Sequence, residues 1–155
     1  GPMAAVIKTF ETIGLAKVAT SAEQAKDLMF LRPTDGITMN RDRLLADAKA
    51  KALSLAGHKE PATTQCISLP GPTAFAALSM ALKGFHRTGK ASPHDVVIGR
   101  HLARIVSGDA TDVTETLSED DLLRLEARSF LALAREPASA ARVAHMLNTG
   151  KPLRN

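Results

Sequence analysis

Apolar residues recur three and four positions apart along most of this chain, and the breaks between those stretches carry residues that start and stop helices. The pattern predicts an all-α fold of about seven helices. The first spans residues 4–18, with Ile7, Phe10 and the pair Gly14/Leu15 as its apolar stripe. Ser21-Ala22-Glu23-Gln24 has the form of a capping box and opens a short helix through Leu28. Pro33-Thr34-Asp35-Gly36 reads as a turn, Ile37-Thr38-Met39 as a short strand, and Asn40 as the cap of a third helix. Leu45, Ala48, Ala52 and Leu55 share one face of that helix, and Gly57 is placed to close it in the left-handed conformation. Residues 57–71 read as irregular, with Cys66-Ile67-Ser68-Leu69 too short to assign.

Pro72 suits the start of a fourth helix striped by Phe75, Leu78, Leu82 and Phe85 and ending near Gly89. Ser92-Pro93-His94-Asp95 combines an N-cap, a first-turn proline and an acid three residues after the cap. The fifth helix then carries Ile98, His101, Leu102, Ile105 and Val106 on one side and stops at Gly108. Ser118-Glu119-Asp120-Asp121 opens a sixth, with Leu122, Leu125, Phe130 and Leu133 expected to face a core. Pro137 breaks that run, and a seventh carries Ala140, Val143 and Leu147 before Gly150.

Composition narrows what such a bundle can do. Of 155 residues, 45% are apolar and 23% charged, which fits a globular protein rather than a disordered one. The longest nearly unbroken apolar run, residues 74–82, has nine residues, far short of the roughly 20 that span a bilayer. No secretory leader opens the chain, and Gly1-Pro2-Met3 resembles a protease-cleavage scar, so residues 1–3 are set aside from the fold and the rest reads as an excised segment. A net charge of +4 permits an anionic ligand. With no Trp, no Tyr and five Phe, the chain lacks the stacking platforms of single-strand nucleic-acid binders, so no nucleic-acid partner is expected. Cys66, the single cysteine, has no disulfide partner, and a reducing compartment, the cytoplasm, follows as the default.

Several motifs invite chemistry and have plainer readings. Residues 84–90, Gly-Phe-His-Arg-Thr-Gly-Lys, match a phosphate-binding loop as far as the lysine, which would make the chain a nucleotide-dependent enzyme. A helix precedes the motif where a strand is needed, and Ala91 holds the hydroxyl position, so a glycine-closed helix end is preferred. His58, His86, His94, His101 and His145 could ligate a metal, but no His-x-x-x-His pair brings three ligands together. Glu119, Asp120 and Asp121 lie where acids stabilise a helix start. Neither a Gly-x-Ser-x-Gly elbow nor a Gly-x-Gly-x-x-Gly dinucleotide motif is present. Lys151 and Arg154 form a basic end suited either to solvent or to phosphate contact.

The stretch Ser21-Ala22-Glu23-Gln24-Ala25-Lys26-Asp27-Leu28-Met29-Phe30-Leu31, followed by Ile37 and the helix ending at Leu55, resembles the later part of an enoyl-CoA hydratase (crotonase) domain. The ending His145-Met146-Leu147-Asn148-Thr149-Gly150-Lys151-Pro152-Leu153-Arg154-Asn155 is similar to the C-terminus of bacterial multifunctional 3-hydroxyacyl-CoA dehydrogenases that carry such a domain. Thr12-Ile13-Gly14-Leu15-Ala16-Lys17-Val18 and residues 122–131 also look like that family. Where the family has glycine this chain has Met29, which implies either a different turn or strain of about 1 kcal/mol. The segment 89–115 is longer than in a minimal crotonase.

The resemblance implies that residues 4–57 end a crotonase-like domain and 58–155 form a C-terminal helical region of a fatty-acid β-oxidation enzyme. The parent would use NAD and a CoA thioester, whereas this segment would bind no cofactor and hold no catalytic residue. Its expected work is subunit packing against the upstream dehydrogenase and hydratase domains, in a homo-oligomer, and part of an acyl-CoA pocket. By the same analogy Phe130 lines the acyl pocket and Lys151 and Arg154 meet CoA phosphates. A free-standing helical protein-interaction module is the alternative.

Overall fold

A computed structural model describes residues 1–57 and 65–155. Its helices are α1 (Met3–Gly14), α2 (Ala22–Asp27), α3 (Leu44–Leu55), α4 (Gly71–Arg87), α5 (Pro93–Ser107), α6 (Glu119–Ala134) and α7 (Pro137–Thr149). The all-α expectation holds. One antiparallel ribbon joins β1 (Cys66–Ile67) to β2 (Leu117–Ser118), with Cys66 opposite Ser118 and Ile67 opposite Leu117. The chain divides into two compact units, Lys17–Thr63 and the remainder.

The larger unit is built on α1, α4 and α5. Their apolar stripes meet in a core of Val6 and Phe10, Ala74, Leu78 and Leu82, and Ala103, with Met3, Leu69, Phe75, Leu102 and Val106 packed around it. Met3, set aside in the sequence reading, therefore contributes to the interior. The approach of α4 to α5 depends on Gly99, where a Cβ would lie 2.6 Å from Leu82 Cδ2. The capping box read at Ser21 forms only by half, since Gln24 Oε1 accepts the Thr20 amide at 2.6 Å rather than that of Ser21, whereas full boxes start α5, Ser92 with Asp95, and α6, Ser118 with Asp121. Gly108 and Gly150 end α5 and α7 at φ +86° and +67°. α7 buries no residue of its own and is held by polar ties, among them a 2.9 Å contact between Ser139 Oγ and His94 Nε2.

The smaller unit is held differently. None of its residues 17–57 is buried. Ser21 Oγ accepts the Gln24 amide at 3.1 Å, and Thr38 Oγ1 donates to Asp47 Oδ2 at 3.1 Å. Met29 adopts φ +62°, and the Phe30 and Met29 amides return to Ala25 and Lys26 carbonyls at 2.8 and 2.9 Å. The turn that glycine would favour is thus retained with a methionine in it.

Five expectations fail locally. α1 ends at Gly14 rather than at residue 18, because the chain turns through Ala16 at φ +48°. Residues 37–39 pair with no strand among the described residues. Asn40 caps a single 3-10 turn (Arg41–Arg43) that leads into α3, and Gly57 does not take a positive φ, since α3 ends at a right-handed Ala56. Phe130 faces away from the core and is 69% exposed.

Candidate functional site

The helical spacing that builds the core of the larger unit also leaves a cleft beside it. On α5, Ile98, His101, Leu102 and Ile105 fall on one face; on α6, Glu126, Ser129, Phe130 and Leu133 do the same. Together with Phe10 and Ile13 of α1 and Leu82 and Phe85 of α4 they enclose about 690 Å³. That is the range of small-molecule sites, and the lining is mainly apolar with a few polar groups, as such sites usually are. Phe130 lends the cleft an aromatic wall that the interior does not use.

The polar groups have distinct states. Burial pushes the His101 imidazole below its ordinary pKa, Arg104 and Arg100 add to this, and Glu136 opposes it, so the ring is neutral at pH 7. His101 Nδ1 is enclosed without a hydrogen-bond partner. At another edge Arg142 donates to Asp95 Oδ1 at 2.8 Å and to Ser92 Oγ at 3.1 Å, while its Nε donates to Asn155 Oδ1 at 2.7 Å. Burial alone raises the Asp95 carboxyl, yet the Ser92 amide, Arg142 and the Ser92 hydroxyl together hold it below the usual carboxylate range.

Of the site residues read from sequence, Phe130 lines the cleft, whereas Lys151 and Arg154 do not. Arg154 instead donates to the backbone carbonyl of Lys90 at 2.9 Å, and Lys90 is itself a lining residue. Phe130 apart, the family analogy supplied none of the lining, including its polar groups His101, Glu126, Asp95 and Arg142. The stripe containing His101 was visible in the sequence; the facing of α5 and α6 was not.

The phosphate-loop motif has spent its donors. The Gly89 amide bonds the His86 carbonyl at 3.0 Å, and the Lys90 and Ala91 amides bond that of Phe85 at 2.9 and 3.2 Å, so the segment is the closing turn of α4. His58 lies outside the described residues. Among the described residues no three His, Cys, Asp or Glu side chains converge on a metal position, and no helix is long and apolar enough to cross a membrane. Asp121 serves its helix: the Ser118 hydroxyl, the Ser118 amide and Arg124 lower its pKa to about 2. Cys66 is exposed and free.

The larger unit is therefore a helical body with a ligand-sized, mainly apolar cleft. Over 156 residues the chain is 42% identical to a probable 3-hydroxyacyl-CoA dehydrogenase of Bacillus subtilis (strain 168). The match takes in 99% of this chain and 20% of that protein, so the chain spans about one fifth of the relative's length. No family model matches the chain. No solved structure matches it either.

Proposed function

We propose that this chain is the C-terminal helical segment of a 3-hydroxyacyl-CoA dehydrogenase/enoyl-CoA hydratase of fatty-acid β-oxidation, working in the cytoplasm, and that its cleft takes the acyl part of a CoA thioester. The apolar cleft of about 690 Å³ walled by Phe130 carries this reading. Phe130 packs on the acyl chain. Arg154, held at the Lys90 carbonyl, and Lys151 meet the CoA phosphates. NAD belongs to the parent enzyme and not to these residues.

Calorimetric titration of the chain with dodecanoyl-CoA and with free CoA tests the reading. The thioester should bind at least about tenfold more tightly than CoA, and Phe130→Ala should remove most of that difference. Lys151→Ala should weaken both ligands. Equal affinity for the two ligands, or none for either, overturns the reading.

Subunit packing is the second part of the proposal. Val18, Met29, Met39, Leu45 and Leu53 are exposed on the smaller unit, and the upstream domains or a second copy cover them in the homo-oligomer. Light scattering after size exclusion should show self-association of the isolated chain, and a strict monomer at high concentration counts against it.

A second reading, a free-standing helical interaction module, is favoured by one observation: Val143, Met146 and Leu147 make an exposed apolar stripe on α7. It predicts no response to acyl-CoA.

A further inference from the structure

α7 has little apolar anchorage. It buries no residue of its own, and Val143, Met146 and Leu147 stand exposed along it. An element with so little buried apolar surface opens at lower cost than the core beside it, and its placement falls to polar contacts.

Those contacts converge on one place. Ser139 Oγ lies 2.9 Å from His94 Nε2, Arg142 donates to Ser92 Oγ at 3.1 Å and to Asp95 Oδ1 at 2.8 Å, and Arg154 donates to the Lys90 carbonyl at 2.9 Å. All of them tie residues 137–155 to residues 90–95, where the turn closing α4 runs into the start of α5. Asn155 braces the arginine from behind. Its Oδ1 accepts from Arg142 Nε at 2.7 Å and its Nδ2 donates to the Ala138 carbonyl at 3.1 Å, which lays the segment after Gly150 back along α7.

The same place is an edge of the cleft. Lys90, Ala91, Asp95 and Arg142 line it, and among the described residues Arg142 is the only contribution of α7. If these contacts part, α7 takes its arginine with it, while the walls on α1, α4 and α5 keep the core that holds them and Ser92 with Asp95 still starts α5.

We infer that α7 and residues 150–155 form a flap latched to residues 90–95, and that its release opens this edge of the cleft to an entering ligand. The gating rests on the acyl-CoA reading above; the flap itself does not. Asn155 is a positioning residue, acting through Arg142.

Amide hydrogen exchange and stopped-flow binding, both on the full chain, test the inference. In the native chain the amides of residues 143–147 should exchange at least about tenfold faster than those of residues 101–106. Asn155→Ala, which unbraces Arg142 and is not itself in the lining, should speed exchange at 143–147 about fivefold or more and leave 101–106 within about twofold. Asn155→Asp keeps an acceptor for Arg142 Nε and should stay within about twofold of the native chain at both. Association of dodecanoyl-CoA should quicken about threefold or more in Asn155→Ala and not in Asn155→Asp, because a step that precedes entry has been eased. Equal exchange in α5 and α7, or exchange at α7 that ignores Asn155→Ala, overturns the flap. Faster exchange with an unchanged association rate overturns the gating and leaves the acyl-CoA reading standing. Absence of any binding overturns that reading and the gating with it, and the exchange contrast still decides the flap.

Discussion

Arg142 reaches from α7 to Asp95 at 2.8 Å, and Asp95 is the residue whose carboxylate also accepts the Ser92 amide at 2.9 Å to cap α5. One carboxylate thus starts one helix and moors another. Both side chains are less than one third exposed, so the pair is shielded enough to matter. Arg142→Ala should cost about 1–3 kcal/mol, because it leaves Asp95 and Asn155 short of a partner. It should also move the Asp95 carboxyl up towards the ordinary range. Chemical denaturation and carboxyl NMR titration check the two effects. Because the folded Asp95 is lowered, its contribution is present above the unfolded value and lost as pH falls through the folded one.

Two glycines should respond with opposite signs. Gly99→Ala pushes a methyl group against Leu82 and should destabilise by about 1–2 kcal/mol. Gly84, within α4, has nothing within 4 Å of where a Cβ would stand, so Gly84→Ala should stabilise by about 0.5–1 kcal/mol. Thermal melts of both variants test the contrast.

Met29→Gly should stabilise the turn after α2 by about 1 kcal/mol, since the positive φ that penalises methionine costs glycine little. Slower amide exchange at Phe30 and Leu31, whose amides close that turn on the Ala25 carbonyl, would report it.

Asp121 titrates near pH 2 in the folded chain, against 3.8 for the free side chain. Its support for α6 is therefore full above the unfolded value and disappears as pH falls through about 2. Helical signal followed from pH 5 to 1 should fall later in the native chain than in Asp121→Asn, whose helix start lacks the ionised carboxylate throughout.

What the sequence discloses is the part written locally. The caps at Ser92 and Ser118 and the stops at Gly108 and Gly150 each depend on a few neighbouring residues, and all four form. Cys66–Ile67 could not be assigned because its partner, Leu117–Ser118, lies far along the chain and a two-residue strand has no period to detect. Phe130 shares the apolar spacing of Leu122, Leu125 and Leu133, and periodicity alone cannot tell a residue that fills an interior from one that walls a cavity. The cleft was hidden for the same reason: it exists only once α1, α4, α5 and α6 have docked. Met29 is intermediate, since the turn was legible and its persistence without glycine was not.

The short ribbon between β1 and β2 has one more effect. It buttons the segment before α4 to the start of α6, closing both long helices into a ring of chain. A protease nick in the polar connection at residues 109–116 would therefore leave two fragments still clasped together, and the severed body should behave as a single particle until it is denatured.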